Sequence, residues 1–493
     1  MVIHFFKTFN LYKTLNYKKF YWVCLGIILP FSYLYSSSNE TPSVSSDSSL
    51  QIIETKETSS KTVPIFAVGE AQLVRDRLSF PDPLLSSELT SKHIKEVKEF
   101  HDIFVNDFSF YKNIFDIRIG GTTSEAMFRK SIIESTTDSD KKNLLQYKVE
   151  IYAHEINVKK PSSSFQVEIS AFNIKENKEI FYLKKEISED TLRNFAHECT
   201  DKIYQLIVGR GSIFLSKIVF VSDNFSRGKK RTKELFLMDF DGKSLQQITH
   251  HNSLVISPAM SYDKKKIVYS LIDYKKKIRN VDLYIYDLET KTSKVISSLP
   301  GINSGAVFLP GDEEIALTLT LKGNADIYVM NLKTKSLRAL TTSSAEDVDP
   351  SFSRDGKKFS FLSDRSGKAM VYTASGKVAE KDVKRVSYVG LLNATPRLSP
   401  DGDEMVFASW VDNSFDIYRL SSDSNKLDRL TKKFGSNEDP SFSPDGQFIL
   451  FSSQRILSSV KSVQNLYIMT RDGEIIGAAI SDFGNCTSPR WSN

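Results

Sequence analysis

Hydrophobic and polar positions follow two rhythms along this chain, and the rhythm changes near residue 210. Between Thr90 and Phe108, the residues Ile94, Val97, Phe104 and Phe108 recur near the helical period, which predicts an amphipathic helix. Tyr147, Val149, Ile151 and Ala153 then alternate with polar neighbours, as do Phe165, Val167, Ile169 and Ala171. With the run from Lys178 to Ile187, these predict an antiparallel meander. A second helix carries the stripe Leu192, Phe195, Ala196, Cys199, Ile203, Leu206 and Ile207, with Asp190 as its expected cap and Gly209 as its end. Residues 65–210 read as one small α/β domain.

After that the pattern repeats. PSFSRDG (350–356), PRLSPDG (396–402) and PSFSPDG (440–446) are close copies, PAMSYDK (258–264) and AVFLPGD (306–312) are weaker ones, and PRWS (489–492) is a truncated last copy. Their spacings are 48, 44, 46, 44 and 49 residues. An aromatic marker runs in step at Phe236, Tyr284, Tyr328, Tyr372, Tyr418 and Tyr467. Each unit holds four short strand candidates, the signature of one β-propeller blade per repeat. Asp-Gly at 355–356, 401–402 and 445–446 supplies the positive φ that a tight turn needs. The chain enters this region at KIVFVS (217–222), a second-strand sequence, and finishes on PRWS, a first-strand sequence. The fold class is therefore an α/β N-terminal domain followed by an all-β six-bladed β-propeller, residues 211–493, closed by the C-terminal strand. Aromatics at one place in every blade read as core between adjacent sheets.

The N-terminal stretch has a different character. A basic start precedes sixteen uncharged residues from Phe20 to Tyr35, followed by Ser36, Ser37 and Ser38. This predicts a cleaved signal peptide over 1–38, since the run is interrupted by Pro30 and is shorter than the roughly 20 residues of a spanning helix. Ser36 to Thr62 holds ten Ser and four Thr, so residues 39–64 read as a flexible linker with too little apolar surface to fold. The net charge of +6 falls to +2 once Lys7, Lys13, Lys18 and Lys19 of the leader are set aside, which leaves no footprint for nucleic acid. Three cysteines exclude a disulfide-built scaffold and fit no zinc site. Strand geometry puts Cys199 and Cys486 at opposite faces of the ring, too far apart to bridge, so both are expected as free thiols.

The SPDG repeat, six blades, an export signal and an α/β domain together resemble the TolB family, and the junction LRNFAHECTDKIYQLIVGRGSIFLSKIVFVS (192–222) carries the resemblance most specifically. It extends over roughly residues 90–493. The resemblance implies a periplasmic protein of the Tol-Pal system, probed by two partners. These are Pal, the peptidoglycan-associated lipoprotein, held on the propeller, and TolA, held by a short N-terminal segment for which Val63 to Leu73 is the candidate here. It implies a monomeric binding component without cofactor that serves outer-membrane integrity and constriction at division.

The rival readings are the propeller of a peptidase-like protein and that of a glycan-binding protein. No GxSxG elbow exists: the glycines four apart, Gly301/Gly305 and Gly473/Gly477, enclose Asn303 and Ile475. The seven histidines form no HExxH pair, and His154-Glu155 and His197-Glu198 read as structural. No catalytic, cofactor or metal site is expected. The expected partner surface is the rim made by the connections from each outer strand to the next inner strand. It carries His250, His251, Asn252, Asn303, Glu346, Asp347, Asp349, Asn393, Glu438, Asp439 and Asn485. Asp349 and Asp439 precede proline and have a competing role in holding their own turns. Asp347 and Glu438 read as exposed, so reversing them to Lys should weaken Pal binding with little loss of stability. The basic runs Lys229-Lys230-Arg231 and Lys275-Lys276-Lys277 fall on the same face and are candidates for an anionic partner.

Overall fold

The computed structural model describes residues 75–121, 145–156, 163–227, 231–276, 280–377, 380–422, 425–458 and 462–492. The signal peptide, the linker and the Val63–Leu73 segment lie outside the described residues, as do Lys229, Lys230 and Lys277.

The N-terminal domain begins with β1 (Asp76–Phe80) and β2 (Leu84–Leu85), then α1 (Ser91–Ser109) and β3 (Phe115–Ile119). The meander follows as β4 (Tyr147–His154), β5 (Ser164–Asn173) and β6 (Lys178–Ser188), and α2 (Glu189–Val208) ends the domain. The sheet runs β3-β1-β4-β5-β6, with β1 parallel to both β3 and β4. Helix α1 starts where Thr90 accepts a hydrogen bond from the His93 amide. Helix α2 is capped two residues earlier than Asp190: the Ser188 amide donates to Thr191 Oγ1, and Asp190 lies within the first turn, where a negative charge suits the helix dipole. Gly209 ends α2 at φ 78°, a left-handed C-cap that glycine takes without steric cost.

Six four-stranded antiparallel sheets form the ring. Blade 1 contains β7 (Lys217–Ser222), β8 (Glu234–Asp239) and β9 (Gln246–Gln247). Blade 2 is β10 (Leu254–Met260), β11 (Lys266–Ile272), β12 (Val281–Asp287) and β13 (Thr292–Ser297). Blade 3 is β14 (Asn303–Phe308), β15 (Glu314–Leu319), β16 (Asp326–Asn331) and β17 (Leu337–Ala339). Blade 4 is β18 (Asp347–Phe352), β19 (Lys358–Ser363), β20 (Met370–Ser375) and β21 (Lys384–Arg385). Blade 5 is β22 (Asn393–Leu398), β23 (Glu404–Val411), β24 (Ser414–Ser421) and β25 (Leu427–Arg429). Blade 6 is β26 (Ser436–Phe442), β27 (Phe448–Ile456), β28 (Ser462–Thr470) and β29 (Ile475–Ile480). The last strand, β30 (Cys486–Trp491), pairs with β7 and supplies the missing inner strand of blade 1.

The repeated Ser-x-Asp-Gly string builds the turn between the first two strands. In blade 5, Ser399 Oγ donates to Asp401 Oδ1 at 2.5 Å, the Ser399 amide reaches Glu404 O at 2.8 Å, and Gly402 has φ 75°. In the weak copies Lys264 and Asp312 take the glycine place at φ 60° and 58°. These turns define one face of the ring, here called proximal.

The N-terminal domain sits on that proximal face. Tyr111 Oη donates to Asp445 Oδ2 at 2.7 Å, and the rings of Phe110 and Phe448 meet edge-on at 6.2 Å. Arg193 of α2 forks onto Asp241 at 2.6 Å and 2.7 Å. One hydrophobic core runs from Phe100 and Phe104 of α1 through Tyr204 and Phe214 to Phe448 and Trp491 of the propeller. Each such fully buried side chain is worth about 1.5–3 kcal/mol over its exposed state, so domain and ring are held as one packed body. The aromatic markers lie in the inter-sheet clusters of the blades, as with Tyr328 against Val268 and Leu317.

Candidate docking face

Inner strands start on the face opposite the N-terminal domain, here called distal, and the expected rim residues sit at those starts. At the first buried position of the inner strands stand Asn303, Asp347, Asn393 and Asn437, all with no solvent exposure. Asn303 accepts from Ser297 Oγ at 2.6 Å and donates to Leu299 O at 2.7 Å and Val281 O at 2.9 Å. Asn393 accepts from Ser387 Oγ and donates to Val389 O at 3.0 Å. Asn437 donates to Asp416 Oδ1 at 3.0 Å and Thr431 Oγ1 at 3.2 Å. In each case the amide ties the start of an inner strand to the end of the preceding blade. Sequence reasoning passed over Asn437, although it lies 44 residues after Asn393 and so in phase with the repeat.

Asp347 is not an exposed rim carboxylate. Its side chain is fully buried and accepts from Arg365 Nη2 at 2.6 Å and Nε at 3.3 Å, while Arg365 also holds Glu380 at 2.8 Å. The expectation that its reversal leaves stability unchanged fails for that reason. An uncompensated charge in this place costs several kcal/mol.

Two residues later each inner strand slips register around a residue at positive φ: Ser257, Gly305, Asp349, Thr395, Asp439 and Ser488, between 47° and 63°. This is a bulge in every blade, with two residues opposing one. The carboxylates of Asp349 and Asp439 bond across to neighbouring inner strands. Asp349 accepts from Arg397 Nη2 at 2.8 Å, and Asp439 accepts from the Ser488 amide at 3.0 Å, so each carboxylate reaches a different inner strand.

Beside Asp439, Glu438 is half-buried and accepts from Ser436 Oγ at 3.2 Å. Burial, and then the neighbouring Asp439 charge, push its carboxyl up to about 8. It therefore carries a proton at neutral pH rather than the exposed negative charge expected. Lys233 donates to Thr487 Oγ1 at 3.0 Å, and burial holds its ammonium pKa below the usual lysine value.

The other rim residues divide by accessibility. His250 and Asn252 are exposed. His251 shares a 2.8 Å hydrogen bond with Tyr269 Oη, and burial lowers its pKa. Glu346 is half-buried and accepts from the Ala325 amide at 2.7 Å, with its pKa raised by burial. Asn485 donates to Asp223 Oδ2 at 2.9 Å. These groups form a ring rather than a converging cluster. Among the described residues no group of three or more His, Cys, Asp or Glu side chains is placed to hold a metal ion. Cys199 and Cys486 are buried free thiols.

A family model described as the TolB β-propeller domain matches residues 204–493. The chain belongs to the TolB family. It is 28% identical over 320 residues to the Tol-Pal system protein TolB of Francisella tularensis subsp. holarctica (strain OSU18), covering 62% of this chain and 71% of the relative. The corresponding protein of Francisella tularensis subsp. tularensis (strain FSC 198) is 28% identical over 321 residues, covering 62% and 70%. In fold the TolB-family chain resembles the crystal structure of TolB from Acinetobacter baumannii, with a TM-score of 0.66 and 23% identity over 85% of this chain and 96% of that one.

Proposed function

We propose that this chain is a periplasmic, non-catalytic protein-binding component of a Tol-Pal system. In this reading it docks a Pal-like peptidoglycan-associated lipoprotein on the distal rim of the propeller and engages a TolA-like inner-membrane protein, in support of outer-membrane integrity and constriction. The family match over the propeller carries the reading. The distal rim supports it further, because the N-terminal domain packs on the proximal face and none of its described residues covers this one. The rim groups still able to reach a partner are led by His250 and Asn252, whose side chains are exposed.

Calorimetric titration with a purified, lipid-free Pal-like protein tests this. Binding is expected, and His250→Ala combined with Asn252→Ala should weaken it by about 1–3 kcal/mol with an unchanged melting temperature. No heat of binding to the wild-type chain would overturn the docking of a Pal-like partner.

A further inference from the structure

The two faces of the propeller differ in charge. Among the described residues, the connections on the distal face hold ten Lys or Arg against six Asp or Glu, while those on the proximal face hold twelve against thirteen. The distal acids are mostly engaged within the fold. Asp223 accepts from the Asn485 amide, Asp273 from the Lys275 amide, Glu346 from the Ala325 amide and Asp364 from the Glu346 amide. By contrast Arg227, Arg231, Lys275, Lys322, Lys368 and Lys432 are exposed and have no ion-pair partner among the described residues. They come from the connections β7–β8, β11–β12, β15–β16, β19–β20 and β25–β26, and so from five of the six blades.

The same face carries unburied apolar side chains. Tyr388 is 74% exposed, Leu391 62%, Ile456 80% and Leu457 58%. Phe225 and Leu321 are 51% and 41% exposed on the β7–β8 and β15–β16 connections. The Arg385 guanidinium lies 4.5 Å from the centre of the Tyr388 ring, bringing a cation to an exposed aromatic. These apolar tips are distributed around the ring on separate loops. A protein interface gathers its apolar residues into one buried centre with a polar rim. A membrane surface instead accepts separate apolar tips between its acyl chains while cations lie among the headgroups.

We propose that the distal face of the propeller binds an anionic lipid surface, with Tyr388, Leu391, Ile456 and Leu457 entering the headgroup layer and the surrounding Lys and Arg side chains pairing with lipid phosphates. The interaction needs no protein partner, would hold the ring flat against a membrane, and would compete with the Pal-like partner proposed for the same face.

Co-sedimentation of the full chain with phosphatidylcholine vesicles, with and without phosphatidylglycerol, tests it. Binding is expected only with phosphatidylglycerol present and should be lost at high salt, which screens exposed charges. Reversing Lys368 or Lys432 to Glu should lower vesicle affinity at least about fivefold each, the scale for one cation near an anionic surface. Tyr388→Ser with Leu391→Ser should lower it as well, at unchanged charge. Lys333→Glu, on the proximal face, makes the same change in net charge and should have no effect. Thermal melts of each variant establish that it is folded. Equal binding to both vesicle types, no binding to either, or equal losses from proximal and distal reversals would overturn the proposal. So would binding of acidic proteins alone with none to the vesicles.

Discussion

At Asp347 a carboxylate with no solvent exposure is held by the Arg365 guanidinium, and its value to the molecule lies in that contact. Asp347→Asn should cost about 2–4 kcal/mol of stability in denaturant unfolding, toward the lower end of broken buried pairs because Arg365 keeps Glu380. Glu438 sets up a pH dependence of the opposite kind from an ordinary salt-bridged acid. Its folded pKa of about 8 lies above the roughly 4.3 of an unfolded chain. The native state therefore keeps a proton that the unfolded chain releases, so this contribution is complete below about pH 4 and is lost as pH rises through 8. Glu438→Gln should be more stable than the wild type, with a gap at pH 8.5 larger than that at pH 5 by more than about 1 kcal/mol. A gap that shrinks as pH rises would refute the buried protonated state. Neither behaviour was legible in the sequence, where both residues stand in polar stretches between strands. Burial at a strand start depends on which side chain of the paired strand arrives opposite, and Asp347 faces Ser363 only once β18 and β19 have set their register.

Secondary elements were far more legible, because period and turn chemistry act locally. Thr90, the alternation in β4 to β6 and the Asp-Gly turns all stand where the pattern put them. The short parallel strands β1 and β3 were not foreseen: their pairing joins residues about 40 apart across α1, and five residues hold too little periodicity to declare themselves. The turn at Asp445 has a role that the turn at Asp401 lacks. Like Asp401 it accepts from the serine two residues earlier, but it also accepts from Tyr111 of the N-terminal domain. Asp401→Ala removes the turn bonds alone, while Asp445→Ala also breaks one tie between domain and ring, the bond from Tyr111. The second variant should lose about 0.5–1.5 kcal/mol more than the first in thermal unfolding, the net worth of one hydrogen bond. Equal losses would show that the Tyr111 contact adds nothing.

Across the whole molecule, topology decides the chemistry of distant residues. Cys486 pairs with Ser222 at the distal end of blade 1, while α2, bearing Cys199, packs at the proximal side against Asp241 and Phe240. Burial pushes both thiols up to about 12, so neither is a ready nucleophile. Alkylation of the native protein should be slow at both and become complete on unfolding, and non-reducing mass spectrometry should show two free thiols. A peptide linking residues 199 and 486 would contradict the topology. The closing strand adds a consequence in time. Trp491 Nε1 donates to Ser216 Oγ at 2.7 Å, and Ser216 precedes β7, so residues 275 positions apart in the chain lock the ring together. A ribosome makes the chain from one end, so β7 waits with an open edge while five complete blades are synthesised after it. The pairing that seals the ring has the longest sequence separation in the propeller, and loop closure on that scale is slow. Until β30 is made and pairs with β7 the ring is an open arc, dependent on whatever holds its first strand apart from other chains.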